Sequence, residues 1–281
     1  PLPVITFTGA AGTAPYTFNY TINGTPNTTT TSSGNSKTIS APTGTAGTFN
    51  YILTSVQDSN SCSSPTITGQ TATITVEALP VFSITYPATI CQGNTVDLKN
   101  PAIVNNATGL DFTYWTDAIA TIPYATPTAA TEGTYFIKGT SLTGTGCSTI
   151  LPVDVTVNPL PTVTVNSQTI CADGTATITA TVNPTPTTLY NYSWTVPAGV
   201  PNPTNVATFT TSVAGNYSVV ITEKAAPFCE SVASADIVTI IPLPTATISQ
   251  SLTVCKDDSP EPIITFTGVG TAPFVFSYTI D

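Results

Sequence analysis

The sequence has no histidine, no arginine and no methionine, and it contains five lysines and 15 acidic residues. Because histidine is the commonest general base, its absence excludes Ser-His-Asp and Cys-His catalytic sets. A net charge of −10 argues against nucleic-acid binding and against binding to acidic membranes, since phosphate neutralisation needs clustered cations. No apolar run approaches the roughly 18 residues that indicate a membrane span. We therefore expect a non-enzymatic protein.

Threonine, proline and glycine dominate instead, with 60, 25 and 18 copies in 281 residues. Charged residues make up only 7% of the chain, whereas hydrophobic residues reach 41%, which is enough to build cores. Thr, Val, Ile, Tyr and Phe suit a pleated, half-buried surface, and the straight-chain helix formers are scarce. This composition predicts an all-β fold.

The chain repeats itself. The segment "PLPVITFTG" (1–9) aligns with "PEPIITFTG" (260–268) at a shift of 259 residues, and after a one-residue deletion the match continues at a shift of 258. Similar junctions lie between the two copies, in "TITVEALPVFSI", "DVTVNPLPTVTV" and "VTIIPLPTATIS" at Pro80, Pro161 and Pro244. Each junction has two alternating strands separated by a proline that cannot continue a central ladder.

The junctions divide the chain into modules. We expect a module at 1–80 that lacks its N-terminal strands, whole modules at 81–161 and 162–244, and the N-terminal part of a further module at 245–281, which repeats 1–24. The chain does not begin with methionine or a secretory signal, so we expect it to be a processed product or a segment of a longer protein.

Each whole module follows one pattern. Trp115 follows the early cysteine Cys91 by 24 residues, and Trp194 follows the early cysteine Cys171 by 23. A Gly-x-Tyr step comes later in each module, at Tyr135 and at Tyr217. Short alternating strands between Gly, Pro and Asn turns predict tandem Ig-like or PKD-like antiparallel β-sandwich modules, arranged as beads on a string. We expect both tryptophans to face the core from a central strand. The Gly-x-Tyr step resembles a tyrosine corner.

Six cysteines without histidine or a Cys-x-x-Cys motif favour disulfides over a zinc site. We predict that bridges form within modules, pairing Cys91 with Cys147 and Cys171 with Cys229. Cys62 and Cys255 are then half-pairs whose partners lie outside the sequence. Because the first cysteine follows an early strand and the second precedes the last strand, the two could lie at opposite ends of a module. Bridges between neighbouring modules therefore stay an alternative.

Acidic side chains offer the remaining candidates for site chemistry. A glycosidase would need a carboxylate pair, and the candidates include the cluster Asp257, Asp258 and Glu261 and scattered single acids such as Asp58, Asp154 and Asp236. A solvated turn is the favoured explanation for them. No cofactor is expected, although Asp257 and Asp258 in "CKDDSPEP" and Asp58 in "QDSNSC" are weak calcium candidates without EF-hand spacing.

Tyr16, Phe18 and Tyr20 alternate with polar residues in "APYTFNY", so they share one face of a strand. On a sandwich strand such a face normally packs in the core. The alternative is a sugar-stacking platform on a carbohydrate-binding module.

Two sets of segments resemble repeats of a known class of protein. They are "ITFTGAAGTAPYTFNYTING" (5–24) with the residues that follow it, and "TICADGTATITATV", "YSWTVPAG" and "AGNYSVVITE" in the module at 162–244. They are similar to repeats in the giant secreted surface proteins of gliding Bacteroidetes, such as SprB-like mobile adhesins exported by the type IX secretion system. The resemblance implies export to the outer-membrane exterior of a Gram-negative bacterium and a role in adhesion, gliding motility or matrix.

We therefore expect a structural and adhesive segment of a long surface fibre. Its expected partners are neighbouring repeats of the same chain or filament, surface polysaccharide, or outer-membrane anchoring proteins. One alternative is a set of accessory carbohydrate-binding modules on a secreted polysaccharide-degrading enzyme. Another is donor-strand polymerisation, in which the segment from Thr245 completes the first module of another chain.

Overall fold

The computed structural model of the chain describes residues 2–31, 33–249, 251–257 and 259–280. Over these residues the chain is all-β, and its helical elements are two 3₁₀ helices at Pro127–Ala129 and Thr187–Leu189. The all-β prediction is confirmed. The described residues contain no helix long and apolar enough to cross a membrane.

The described residues form 23 strands in chain order. The first ten are β1 Val4–Thr8, β2 Thr17–Ile22, β3 Thr25–Thr30, β4 Ser36–Ser40, β5 Gly47–Gln57, β6 Ser63–Ser64, β7 Thr71–Val76, β8 Ser83–Ile84, β9 Ile90–Cys91 and β10 Val104–Asn105. The others are β11 Leu110–Trp115, β12 Gly133–Ser141, β13 Ser148–Val155, β14 Val157–Asn158, β15 Thr162–Val165, β16 Gln168–Cys171, β17 Ala176–Asn183, β18 Tyr190–Thr195, β19 Thr208–Thr211, β20 Gly215–Glu223, β21 Ser234–Ile241, β22 Thr245–Ile248 and β23 Phe266–Val269. Contacts divide the chain into a first unit (1–87 and 97–154) and a second unit (88–96 and 155–281).

The second unit contains a complete two-sheet sandwich. One sheet has the order β15-β17-β19 and the other the order β16-β21-β20-β18, as in a seven-stranded Ig-like module. Buried and exposed residues alternate along β18, so it turns one face inward. The core includes Ile178, Tyr190, Trp194, Tyr217, Val219 and Ile221. Burial of each of the aliphatic side chains among them, Ile178, Val219 and Ile221, contributes roughly 1.5–3 kcal/mol to folding.

Two short parallel pairings fix the positions of the early cysteines. β16 lies parallel to β21, which puts Cys171 opposite Ile241. β9 lies parallel to β14, which puts Cys91 opposite Asn158. Because a parallel partner runs in the same direction, each early cysteine lies beside the C-terminal end of a module's last strand, next to the junction proline.

The first unit has its own sheets and an aromatic core. β3, β2 and β5 form one sheet with β7 beside β5, β1 pairs with β4, and β11, β12 and β13 form another sheet. Tyr16, Phe18 and Tyr20 are buried with Phe7 and Tyr51. This aromatic face is therefore core, as the main interpretation of "APYTFNY" predicts, and not a sugar-stacking platform.

The tail after Pro260 reproduces part of that core. The ring centroids of Phe266 and Phe276 lie 5.6 Å apart, against 5.5 Å for Phe7 and Phe18. Tyr278 is nevertheless 65% exposed, since the described tail has no strand equivalent to β5. The sequence repeat is thus also a structural repeat of the aromatic packing.

Both predicted tyrosine corners are present. The Tyr217 hydroxyl donates to the Val213 carbonyl at 2.8 Å, and the Tyr135 hydroxyl donates to the Thr131 carbonyl at 3.2 Å. Gly215 precedes the first of these corners with φ +143°, and a Cβ there would lie 2.6 Å from Cγ of Pro197. This step of the Gly-x-Tyr pattern therefore requires glycine.

The prediction for the tryptophans is right for one and wrong for the other. Trp194 is buried on β18, and its Nε1 donates to the Val206 carbonyl at 2.8 Å. Trp115 lies on the opposite face of β11 from the core, where its Nε1 donates to the Thr113 hydroxyl at 2.9 Å. Tyr114 faces the core instead, opposite the buried Ile137. The cause is the two-residue period of a strand, in which a one-residue offset reverses the face.

Candidate functional site: the cysteine junction

A disulfide bond in the described part of the chain differs from the predicted pairing within modules. Cys91 is joined to Cys229, 138 residues later, with the Cα atoms 5.4 Å apart. Both residues belong to the second unit, because residues 88–96 pack there. Cys229 is 1% exposed. The bond joins segments that the sequence assigns to consecutive modules, as in the alternative interpretation.

The strand topology explains why Cys171 and Cys229 do not pair. Cys171 lies opposite Ile241, at the end of β21, whereas Cys229 precedes the first residue of that strand. An eight-residue strand spans about 26 Å, and a disulfide needs Cα atoms within roughly 7 Å. Cys171 is a free, exposed thiol, and Cys147, the predicted partner of Cys91, is a free and partly buried thiol.

At the first two junctions, the residue three positions before the proline hydrogen-bonds to a residue at or just beyond the end of a later strand, β20 or β12. At the first junction, Glu77 Oε2 accepts hydrogen bonds from the Thr145 amide and hydroxyl, both at 2.7 Å, and lies 3.8 Å from the Cys147 sulfur. The bonds from the Thr145 amide and hydroxyl hold the pKa of Glu77 below its ordinary value. Just before Thr145, Gly144 has φ +71°, and a Cβ there would overlap the Glu77 carboxylate.

At the second junction the corresponding residue is Asn158. Its Nδ2 donates to Glu223 Oε2 at 3.2 Å. It is also the ladder partner of Cys91, whose neighbour Gln92 donates its amide to the Asn158 carbonyl at 2.8 Å. Sequence reasoning missed Glu77 and Asn158 as junction residues. The signal that could have found them is their shared position before Pro80 and Pro161.

The late cysteines share one backbone setting. The carbonyls of Cys62, Cys147 and Cys229 each accept a backbone hydrogen bond of 2.9 Å, from Asp58, Ser141 and Glu223 respectively. Each cysteine therefore occupies an equivalent place in the loop before its module's last strand. Cys62 is exposed, and its assignment as a half-pair stays a prediction.

The calcium candidates are Asp58, which has a local structural role, and Asp257 and Asp258. Asp58 Oδ1 accepts the amides of Asn60 and Cys62 at 3.0 and 2.9 Å, and its Oδ2 accepts the amide of Thr13 at 3.1 Å. Asp257 is exposed, with φ +65°, and Asp258 lies outside the described residues. No group of three or more acidic or cysteine side chains placed to hold a metal occurs in the described part of the chain. A calcium site stays a prediction.

The other acids, considered as a carboxylate pair for glycoside hydrolysis, have separate surroundings. Asp154 accepts a hydrogen bond from the Thr134 hydroxyl at 2.6 Å. Asp236 accepts the amide of Ile237 at 2.8 Å, and Glu261 is exposed. Cys255, the other predicted half-pair, is also exposed.

Comparison with known proteins gives only weak structural similarities. No family model matches the chain, and no curated protein matches its sequence. Among solved structures it is similar to Sidekick-1 immunoglobulin domains 1–4, with 15% identity over 87% of this chain and 71% of that one and a TM-score of 0.23.

It is similar at the same identity and TM-score to Sidekick-1 domains 1–5, of which it spans 57%. A Ca²⁺-stabilized adhesin of an Antarctic bacterium that binds ice is 14% identical over 88% of this chain and 71% of that one, with a TM-score of 0.28. Likenesses at these TM-scores support no inference about function. The described strands form an all-β chain with a complete seven-stranded Ig-like sandwich in the second unit, and the division into modules at 1–80, 81–161, 162–244 and 245–281 stays a prediction.

Proposed function

We propose that this chain is a non-catalytic repeat segment of a long extracellular surface fibre that acts through length and stiffness. The observation that carries the proposal is the bond between Cys91 and Cys229. It ties a segment of the module at 81–161 to the module at 162–244, in addition to the continuous backbone. A second covalent connection of this kind suits a fibre in which successive modules must stay together.

The junction sequences support the same function. Each has a proline in a link of a few residues, and proline fixes φ, so the links allow little swivelling. An eight-residue strand such as β21 spans about 26 Å, and a module of 81 to 83 residues then adds about 30 Å of fibre. Repetition of such modules gives length in proportion to residue number.

Threonine pairs give the modules cohesion without charge. The hydroxyls of Thr6 and Thr38 lie 3.0 Å apart across β1 and β4, and those of Thr17 and Thr30 lie 3.1 Å apart across β2 and β3. Cross-strand threonine pairs contribute roughly 0.2–1 kcal/mol each. Because they carry no charge, they are insensitive to salt, which suits a protein exposed to a changing external medium.

The disulfide and the family resemblance support the location. Disulfides persist in oxidising compartments such as the periplasm and cell surface. We place the fibre on the outer-membrane exterior of a Gram-negative bacterium, in adhesion, gliding or matrix. Its partners there are neighbouring repeats, surface polysaccharide or anchoring proteins.

The test is the mass of native material under reducing, denaturing conditions. The proposal predicts one continuous chain many times heavier than the 28.9 kDa of this sequence. A reduced mass near 28.9 kDa would contradict it, and polymers that appear only without denaturant would then indicate donor-strand assembly. An attached polysaccharide-degrading domain found by sequencing the native chain would favour the carbohydrate-binding alternative.

A further inference from the structure

We infer that Cys147, Cys62 and Cys171 are half-sites of the same kind of bridge as Cys91–Cys229, formed by one rule. The cysteine that ends an early strand bonds to the late cysteine of the following module. Cys171 therefore forms its disulfide with the late cysteine of a following module. Cys147 and Cys62 each form theirs with the early cysteine of a preceding module. The inference deepens the proposed fibre function and rests on it.

The early half of the rule follows from two equivalent ladders. Cys91 lies opposite Asn158, and Cys171 lies opposite Ile241. Both partners, Asn158 and Ile241, lie three residues before a junction proline. Cys91 is bonded and Cys171 is exposed. The two cysteines thus occupy the same register position, and of the two Cys91 is bonded to a late cysteine in the described residues.

The part of the rule that concerns the late cysteine is supported by the first junction. Cys147 has the same backbone setting as Cys229 and lies 3.8 Å from Glu77, which holds the position of Asn158. An early strand that paired beside Glu77 as β9 pairs beside Asn158 would bring its cysteine to Cys147. The edge for that strand is open, since within the described residues β7 pairs with β5 alone.

The occupant of this edge can be named from the repeat. The 259-residue shift that aligns 260–268 with 1–9 makes residues 245–255 the copy of the segment expected ahead of β1. That segment, "TATISQSLTVC", ends in an early cysteine. An early strand of this sequence type is therefore the partner of the β7 edge and of Cys147.

The bond itself needs an oxidant. Two thiols lose two protons and two electrons, the sulfurs join, and a disulfide oxidant such as oxidised glutathione or an oxidoreductase is reduced to two thiols. The established route is thiolate attack on a mixed disulfide, in which the leaving thiolate carries away the electron pair. A mixed-disulfide probe therefore reports which thiol the early strand reaches.

The first test uses the purified 281-residue chain and a synthetic peptide of sequence 245–255, with its cysteine carried as a mixed disulfide with thionitrobenzoate. A scrambled peptide with the same terminal mixed disulfide is the control. We expect Cys147 to be labelled about tenfold faster by the repeat peptide than by the scrambled one, because docking on the strand edge raises the local concentration. Peptic digestion in acid, which prevents exchange, identifies the labelled cysteine.

Equal labelling of Cys147 by the two peptides, or preferential labelling of Cys171 by the repeat peptide, overturns the inference. The second test is disulfide mapping of native material without reduction. Linkage of Cys147 to an early-type peptide and of Cys171 to a late-type peptide supports the rule, and free thiols or early-to-early links overturn it. A heavy native chain with free thiols would refute the rule and leave the fibre proposal standing, whereas a reduced mass near 28.9 kDa would refute the fibre alone.

Discussion

Cys91 and Cys229 are separated by 138 residues and joined by a disulfide bond in the second unit. Cys91 comes from an early strand beside Asn158, and Cys229 from the loop before β21. The bond encloses most of two sequence modules in one covalent loop.

Replacing Cys91 with serine should destabilise the second unit strongly. In the chain-entropy model, closing a loop of this length contributes about 5 kcal/mol to the free energy of unfolding. Cys91→Ser, Cys229→Ser and the double variant should lose similar amounts, since each removes the same bond. Guanidinium unfolding followed by Trp194 fluorescence measures the loss. Cys171→Ser is the matched control, and a loss as large in the control would contradict the assignment.

The tyrosine corner gives a second prediction. Tyr217→Phe removes the bonds of the hydroxyl to the Val213 carbonyl and to the Thr211 hydroxyl, both at 2.8 Å, and leaves the Thr211 hydroxyl with its bond from the Val213 amide at 3.2 Å. We expect a loss of about 1–2 kcal/mol of unfolding free energy. Tyr135→Phe, whose bond is longer at 3.2 Å, should cost less. Tyr278→Phe, at an exposed ring, should have no measurable effect; equal losses in all three variants would refute this explanation.

Gly144 and Gly146 form a matched pair for testing the first junction. Both have positive φ, +71° and +73°, so alanine at either position introduces backbone strain of roughly 1 kcal/mol. Only at Gly144 does the new Cβ also overlap the Glu77 carboxylate. Gly144→Ala should therefore destabilise the first unit more than Gly146→Ala does. Hydrogen exchange of the Thr145 amide should rise in the Gly144 variant alone, and identical behaviour of the two variants would contradict the role of Glu77.

Acid should weaken the same junction. The Thr145 amide and hydroxyl hold the pKa of Glu77 below its ordinary value of 4.5, so the ionised form contributes stability above that pH. The contribution is lost as the pH falls through the folded-state pKa. Wild type should exceed Glu77→Gln in stability at neutral pH, and the gap should close in acid. Glu132→Gln, which removes an exposed carboxylate from the same unit, is the control; a gap for Glu77→Gln that stays constant down to strong acid would refute the prediction.

The sequence predicts the parts of the fold that depend on local patterns. Two-residue alternation places Tyr16, Phe18 and Tyr20 in the core, and the Gly-x-Tyr step predicts the corners at Tyr135 and Tyr217. The prediction from alternation fails for Trp115. Tyr114 and Trp115 are adjacent aromatic residues, and alternation alone does not say which one faces inward. Only the pairing of Tyr114 with Ile137 decides this.

The disulfide could not be predicted from spacing for a different reason. The recurrent 12-residue interval from Tyr135 to Cys147 and from Tyr217 to Cys229 shows that the late cysteines are equivalent, but not what they bond to. The deciding fact is the parallel pairing of β9 with β14, which places Cys91 at the junction end of its module. Parallel pairs join segments far apart in sequence, so no local pattern reports them.

The most direct test of the central claim, that a covalent tie holds successive modules together, is single-molecule stretching of the chain from its two ends. With the Cys91–Cys229 bond intact, the chain between the two cysteines, whose sequence separation is 138, is protected from extension. Addition of a reductant should then release about 480 Å of further contour length, at about 3.5 Å per residue. Full extension of the oxidised chain to the length of all 281 residues, with no further gain on reduction, would contradict the claim.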